Sequence, residues 1–169
     1  DYPSWLFQVK HGATTIWERW DGYHPERGFQ DPRMNSFNHY AYGAIGQWMY
    51  EYVAGIIPLH PGYKKFAIRP MPGGGLSHAE GTYDSIYGRI VSSWFIHEET
   101  FILSVTVPVN TEAEVTIPGI CTGEADAVLE NRMPAAESED VKDIKLIDGR
   151  VVITIGSGSY QFAAPVISD

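Results

Sequence analysis

A carboxylate flanked by two indole rings is the feature of the sequence best suited to do chemistry. It lies in residues 12–22, GATTIWERWDG, where Glu18 directly follows Trp17 and comes two residues before Trp20. Indole rings can stack on the apolar C–H face of a sugar ring, while a carboxylate binds hydroxyl groups or activates water. One interpretation is therefore a saccharide site. The other is structural, with both tryptophans in the core and Glu18 paired with Arg19 or another cation at the surface.

A second polar and aromatic cluster covers residues 34–43, MNSFNHYAYG, at the predicted start of a helix. Polar groups at a helix N-terminus commonly face a cleft, and backbone N–H groups there can bind oxygen atoms. His39 is the side chain here that could contact a ligand, although on its own it is better explained as a hydrogen-bonded structural residue. Asn35 is better explained as the cap of the helix than as a ligand.

Metal and thiol chemistry are disfavoured by the spacing of the candidate groups. None of the available histidines and carboxylates shows a zinc-binding spacing such as His-Glu-x-x-His. The single cysteine, Cys121, has no histidine nearby in sequence and lies in a β-rich region, so a catalytic thiol is not expected. We therefore predict no metal site and no cofactor. The residues considered as metal ligands are His11, Glu18, Asp21, His24 and His39.

The charge balance argues against some classes of partner. The sequence has 12 Lys and Arg and 21 Asp and Glu, which gives a net charge of −9. This charge disfavours a nucleic-acid partner, which requires a basic face. No apolar run reaches the roughly 20 residues that a membrane-spanning helix needs, so we expect no membrane segment. One cysteine permits no intrachain disulfide. Cytoplasmic and exported locations both stay open, because a targeting segment would lie upstream of residue 1.

One long helix is predicted from Asn35 or Ser36 to about Gly55, with Pro58 beyond its end. Its one acidic residue is Glu51 and it has no Lys or Arg, so the helix should be buried on most sides. Because the chain has no other long helix to cover it, its neighbours are expected from elsewhere in a parent protein or from a partner chain. The main apolar stripe, at spacings of three and four, consists of Phe37, Ala41, Ala44, Trp48 and Tyr52.

The chain after Pro58 carries the alternation of short β-strands. Many short strands separated by turn signals predict an antiparallel β-sandwich. Asp148 and Gly149 are the expected turn of one hairpin. Residues 124–148 are rich in acidic side chains and are expected to be a solvated excursion. The predicted strands cover residues 65–69, 77–83, 88–97, 100–107, 113–117, 145–147, 151–155 and 160–163.

Three segments together resemble bacterial α-L-rhamnosidases of glycoside hydrolase family 78. They are residues 3–5 (PSW), 12–22 (GATTIWERWDG) and 35–43 (NSFNHYAYG). The combination of Trp-Glu-Arg-Trp with Asn-His-Tyr-Ala-Tyr-Gly is specific, whereas either motif alone is only moderately so. The resemblance covers most of the chain up to about residue 118. Its further segments are residues 52–56, 61–64, 85–88 and 107–111.

The resemblance implies an α+β fragment. Residues 1–57 would be the terminal helices of an (α/α)₆ catalytic barrel, and residues 58–169 an all-β antiparallel sandwich domain. The rest of the barrel would supply the missing neighbours of the predicted helix. The implied activity is that of an inverting glycosidase that removes terminal α-L-rhamnose from glycosides.

The same resemblance implies roles for individual residues. Glu18 matches the general base that deprotonates the attacking water, and Trp17, Trp20 and His39 match positions that shape the rhamnose pocket. An inverting enzyme also needs a general acid, which in the family comes from barrel segments that precede this stretch. We therefore predict that the isolated chain is inactive.

The expected partners follow from this interpretation. They are a rhamnosyl glycoside substrate, the N-terminal barrel part of the parent enzyme and, through the exposed apolar helix, a second copy of the chain in a homodimer. The alternative function is a non-catalytic β-sandwich module that binds carbohydrate or has a structural role.

Overall fold

The protein divides into two compact units, Asp1–Gln47 and Trp48–Asp169. The predicted domain boundary after residue 57 remains a prediction. Each unit is described by itself below. The structure is a computed structural model, and it describes residues 2–33, 35–119, 121 and 123–167.

The first unit contains little regular structure. A short helix, α1 (Trp5–Lys10), begins at Ser4, whose Oγ accepts the Phe7 backbone N–H at 3.0 Å. Such a side-chain cap satisfies one of the free amides at a helix start. Two short strands, β1 (Tyr23–His24) and β2 (Gly28–Phe29), form a small antiparallel hairpin.

The long helix predicted from Asn35 or Ser36 starts later and is not a regular α-helix. Residues 35–40 form no helical turn, and part of their backbone is hydrogen-bonded to an earlier loop: the Thr15 hydroxyl donates to the Phe37 carbonyl, for example. The end of the helix was predicted correctly, since Gly55 has a φ of 79° and terminates the last turn. The helical residues are a 3₁₀ turn (Ala41–Ala44), helix α2 (Ile45–Trp48) and a π-helical turn (Met49–Ala54).

Most large apolar side chains of this helical segment, residues 41–54, are exposed within this chain, and their burial by neighbours from outside the chain remains a prediction. Ala54 is buried, at 5% exposure, whereas Trp48 is 50% and Met49 53% exposed. Side chains this apolar that stay open to solvent form an unusual surface for a soluble domain. The other exposed large side chains of the segment are Tyr42, Ile45, Tyr50 and Tyr52.

The second unit consists mainly of two β-sheets. One is six-stranded with the order β10-β9-β13-β7-β6-β5, and the other is five-stranded with the order β11-β12-β8-β4-β3. The strands are β3 (Ile56–Pro58), β4 (Lys65–Ile68), β5 (His78–Ser85), β6 (Gly88–His97), β7 (Thr100–Val107), β8 (Glu112–Thr116), β9 (Leu129–Glu130), β10 (Met133–Pro134), β11 (Val141–Ile147), β12 (Arg150–Ile155) and β13 (Gly158–Pro165).

The expected sandwich of strands is therefore present, with one correction to its antiparallel pattern. Strands β4 and β8 are parallel, from Lys65 opposite Glu112 to Ile68 opposite Val115. A parallel pair needs a crossover, and here the chain passes through β5, β6 and β7 of the other sheet before it returns. Among the described residues the chain is mostly β-structure, and the helices of an (α/α)₆ barrel are not evident.

The alternation of apolar residues builds one core from both sheets. Every second residue of β7 is buried, and the same holds for β12, as the sequence pattern predicts. Trp94 is 1% exposed and lies in this core, so it cannot serve as a platform for sugar binding. The largest core side chains from the two sheets include Phe66, Ile68, Phe101, Leu103, Ile153 and Phe162.

The prediction of a solvated excursion over residues 124–148 is wrong for much of that segment. Val128 and Ala135 are fully buried. The carboxylate of Glu130 is also buried, because it accepts hydrogen bonds from Asn131 Nδ2 at 2.7 Å and Ser138 Oγ at 3.0 Å. Strands β9, β10 and β11 add to the sheets here.

The hairpin turn between β11 and β12 is confirmed. Asp148 and Gly149 have φ values of 50° and 72°, the positive values that a tight two-residue turn requires.

Candidate functional site

The two motifs singled out from the sequence are joined by backbone hydrogen bonds within the first unit. The Glu18 N–H donates to the Ser36 carbonyl at 2.9 Å, and the His39 N–H donates to the Ile16 carbonyl at 2.8 Å. The two segments therefore run antiparallel, although neither forms a regular strand. This pairing places Glu18 on the segment next to the one that carries His39.

The Glu18 carboxylate is held by a backbone amide and not by a cation. Its Oε2 accepts the Ser36 N–H at 3.1 Å, and the residue is partly buried. Within the described part of the chain it forms no ion pair. The structural alternative paired Glu18 with Arg19, but the Arg19 guanidinium contacts Asp21 at 3.4 Å instead.

Trp17 and Trp20 belong to different aromatic groups. Trp17 is 7% exposed and packs edge-on against Phe37, with ring centroids 5.0 Å apart. Phe37 in turn contacts Phe29. Trp17 is thus a core residue of this unit. The structural interpretation of the motif predicted this position for both tryptophans.

Trp20 is exposed and takes part in an open aromatic cluster. It is 38% exposed and lies stacked with Tyr42, with centroids 5.4 Å apart and planes inclined by 28°. Trp5 contacts both rings edge-on, at 6.1 Å from Trp20 and 5.6 Å from Tyr42. Offset and edge contacts of this kind stabilise aromatic clusters. We call Trp5, Trp20 and Tyr42 the aromatic trio.

One ring nitrogen of His39 is hydrogen-bonded to the backbone. Its Nδ1 accepts the Ala41 N–H at 3.2 Å, and its ring lies parallel to that of Tyr40 at 5.8 Å. Since Nδ1 is an acceptor, neutral His39 carries its proton on Nε2. The Nε2–H group has no hydrogen-bond acceptor among the described residues and can donate to a ligand.

Sequence reasoning did not place Trp5 and Tyr42 in the site. Tyr42 lies three residues after His39 in the Asn-His-Tyr-Ala-Tyr-Gly motif, so the motif itself was the available signal. Trp5 lies in another part of the chain, and its contact with Trp20 depends on tertiary structure.

Asn35 has a different role from the helix cap that was predicted. Its Nδ2 donates to the Gly22 carbonyl at 2.6 Å, and its Oδ1 is buried without a described partner. Gly22 must remain glycine here, because a Cβ at that position would lie 2.7 Å from Asn35 Oδ1. Asn35 therefore ties the end of the Glu18 segment to the start of the His39 segment.

A metal cluster and a membrane-spanning helix are both absent from the described residues. No group of three or more His, Cys, Asp or Glu is arranged to hold a metal ion in that part of the chain. No described helix has both the length and the apolar character needed to cross a membrane. A cavity of about 590 Å³ in the second unit is lined by Tyr50, His78 and Thr82 among others, and Glu18 does not contribute to it.

Two family models match the chain, and together they define its class. The model of the bacterial α-L-rhamnosidase 6 hairpin glycosidase domain matches residues 1–53, and that of the bacterial α-L-rhamnosidase C-terminal domain matches residues 55–131. Both matches describe parts of a sugar-cleaving enzyme. The chain belongs to the bacterial α-L-rhamnosidase family, and it is homologous to the C-terminal part of these enzymes.

Named relatives agree with this assignment. An α-L-rhamnosidase of Formosa agariphila is 44% identical over 163 residues, which cover 96% of this chain and 17% of that protein. One of Streptomyces avermitilis is 43% identical over 161 residues, covering 95% of this chain and 15% of that protein. The crystal structure of a Streptomyces avermitilis α-L-rhamnosidase complexed with L-rhamnose superposes with a TM-score of 0.82 at 42% identity, over 96% of this chain and 15% of that one. The chain thus spans about a sixth of the length of its relatives.

Proposed function

We propose that this chain forms one wall of the active site of an inverting α-L-rhamnosidase, with Glu18 as the general base. The observation that carries the proposal is the environment of its carboxylate, which a backbone amide holds at Oε2 and no described cation neutralises. A carboxylate fixed in this way keeps its other oxygen available to accept a proton from water. The aromatic trio in the same unit, in which Trp20 and Tyr42 are exposed, supports a saccharide as the ligand.

The proposed reaction is a single displacement at the anomeric carbon. Glu18 accepts a proton from a water molecule while the water oxygen forms a bond to that carbon. The bond to the glycosidic oxygen breaks on the opposite side, and a general acid gives its proton to the leaving oxygen. The released rhamnose then has the inverted anomeric configuration. In inverting enzymes the two carboxyl groups lie about 6.5–9.5 Å apart, which leaves room for the water.

We propose that the general acid comes from polypeptide outside this chain. The relatives named as α-L-rhamnosidases are much longer, and this chain spans 17% and 15% of two of them. A base without an acid cannot complete the two-carboxyl mechanism, so the isolated chain is expected to be inactive.

The substrate-binding roles follow from the surroundings of each side chain. Trp20 offers an exposed indole face that Tyr42 supports from behind, and a sugar ring can stack on such a face. His39 donates its Nε2–H to a sugar hydroxyl. Trp17 has an indirect role in the site. Its buried ring packs against Phe37 and so fixes the backbone next to Ser36.

We also propose that the exposed side chains of segment 41–54 pack against helices of an (α/α)₆ barrel. Their apolar character and the match of residues 1–53 to the 6 hairpin glycosidase domain model support this arrangement. Alternatively, the same side chains pack against a second copy of the chain in a homodimer.

The role of Glu18 is tested by Glu18→Gln in a full-length α-L-rhamnosidase that carries this sequence. Gln keeps the shape and can accept the Ser36 N–H, but it cannot take a proton from water. We expect kcat for an aryl α-L-rhamnoside to fall by about 10²–10⁴-fold. Proton NMR of the sugar as it is first released should show the inverted anomer in the unmodified enzyme.

Glu26→Gln is the matched control, because Glu26 is an exposed carboxylate of the same unit. It should leave kcat unchanged. If Glu18→Gln retained kcat within a factor of about two, or if the first product kept its anomeric configuration, the proposed mechanism would be wrong.

A further inference from the structure

Two arginines lie close together on the outer face of the five-stranded sheet. Arg69 directly follows β4, and Arg150 is the first residue of β12. Strand β8 lies between these two strands, and its last residue, Thr116, is paired with Val152. Both arginines are exposed. The sheet order therefore brings two positive charges to the same end of one sheet face.

These arginines differ from the basic residues around them. The lysines further along the same sheet face are all paired with carboxylates, as is Arg89 on β6. Arg69 and Arg150 form no ion pair with any carboxylate in the described ranges of the chain, although the protein has an excess of acidic residues. The pairs in question are Lys65–Glu112, Lys65–Glu114, Lys142–Glu112, Lys145–Asp143 and Arg89–Asp84.

The surface beside the two arginines is concave. Three cavities of about 290, 340 and 290 Å³ each have both Arg69 and Arg150 among their lining residues. We call this the arginine groove. Tyr52 and Met71 line the cavity at one end, and Tyr52 is 45% exposed. The groove thus combines two cations with an accessible aromatic ring.

The acidic residues near the groove leave the arginines available. Glu114 contacts Lys65 at 2.7 Å and so already has a cationic partner. Asp148 also contributes to the lining, and no ion pair joins it to Arg69 or Arg150 in the described ranges. Two guanidinium groups that share a groove repel one another, and an anion placed between them would relieve that repulsion.

The geometry points to a binding site for an acidic saccharide in the arginine groove. A guanidinium group offers a planar fork of N–H donors that matches a carboxylate or sulfate with two hydrogen bonds. An aromatic ring beside the fork adds a surface for the apolar face of a sugar. We infer that Arg69 and Arg150 bind the acidic substituent while Tyr52 contacts the sugar ring. This site goes beyond the proposed function, lies wholly in the second unit and does not depend on Glu18.

The test is calorimetric titration of the chain at low ionic strength with trigalacturonic acid. Galactotriose serves as a neutral saccharide of similar size, and sodium sulfate serves as a free anion. We expect trigalacturonic acid to bind more tightly than either. Arg69→Gln and Arg150→Gln should each weaken binding by roughly tenfold, the loss of one charge-assisted contact.

Three further variants make the result specific. Arg89→Gln is the matched control, since Arg89 is an exposed arginine of the same unit that pairs with Asp84 at 2.9 Å, and it should bind normally. Arg150→Lys keeps the charge but loses the fork, so it should bind with intermediate affinity. Glu18→Gln should bind normally, which separates this site from the proposed catalytic one.

Several results would overturn the inference. They are no binding of trigalacturonic acid, equal binding of galactotriose, binding of sulfate as tight as that of the saccharide, and unchanged affinity in both glutamine variants.

Discussion

Glu112 shows how single charged residues stabilise the outer face of the second unit. Its carboxylate accepts a hydrogen bond from Lys142 Nζ at 2.9 Å and contacts Lys65 Nζ at 3.4 Å. The hydrogen bond from Lys142 is the main cause that lowers the pKa of Glu112 below its ordinary value of 4.5, and the charge of Lys65 acts in the same direction. The folded protein therefore binds a proton at this site less readily than the unfolded chain does.

This difference predicts a pH-dependent loss of stability. The contribution of Glu112 is fully present above pH 4.5 and is lost as the pH falls through its lowered pKa in the folded state. Glu112→Gln should lower the free energy of unfolding at pH 7 by about 1 kcal/mol or less, because the side chain is partly solvated. Urea titrations at pH 7, 5 and 3 should show the difference shrinking toward acid pH. Glu139→Gln should behave like the parent at every pH, because Glu139 is exposed and has no ion pair with any described residue. A difference that grew as the pH fell would contradict this account.

At the residue scale the sequence indicated the right segments but not the environment of each side chain. Trp17 and Trp20 lie in one short motif and have the same chemical type, yet one is buried and the other is exposed. Their difference depends on contacts with Phe37 and Tyr42, which no local pattern reveals. The catalytic and binding roles of the predicted site residues remain predictions.

At the element scale, the end of the helical segment is attached to the six-stranded sheet at three points. Ser92 Oγ donates to the Ala54 carbonyl at 2.6 Å, and Trp94 Nε1 donates to the Val53 carbonyl at 2.8 Å. Gly81 on β5 allows the close approach, because a Cβ at that position would lie 2.5 Å from the Ala54 Cβ. These contacts satisfy carbonyl groups that the end of a helix would otherwise leave unpaired.

Replacing that glycine should therefore destabilise the second unit. Gly81→Ala forces two Cβ atoms together, and overpacking of this kind costs about 1–3 kcal/mol. The free energy of unfolding in urea measures the effect. Gly46→Ala is the matched control, because Gly46 lies in α2 with no atom within 4 Å of an added Cβ. It should be neutral or slightly stabilising. Equal stability of the two variants would contradict the close approach between Gly81 and Ala54.

The same scale shows which elements a sequence can predict. The longer strands of the second unit were predicted to within a few residues, because alternating burial is a local and regular signal. The start of the helix was not predicted, because backbone groups of residues 35–39 form hydrogen bonds with the segment that contains Glu18. The parallel pairing of β4 with β8 was also missed, since it joins strands that are distant in sequence. Strands β9 and β10 and the first residues of β11 were missed because residues 124–148 are rich in acidic side chains, which favour a solvated segment.

At the scale of the whole molecule, the two units differ in how well they bury their apolar residues. The second unit encloses a continuous core between its two sheets. The first unit and segment 41–54 leave many aromatic side chains exposed. The chain also spans about a sixth of the length of its relatives. These observations support a protein whose proposed active site is completed by further polypeptide, and the family resemblance was the signal that suggested it.

The most direct test is the rate at which the isolated 169-residue chain hydrolyses an aryl α-L-rhamnoside. We expect a rate equal to that of buffer, and the same rate for Glu18→Gln, because a general base acts only together with its acid. Turnover clearly above buffer that disappears in Glu18→Gln would contradict the central claim, since it would place a complete catalytic site within this chain.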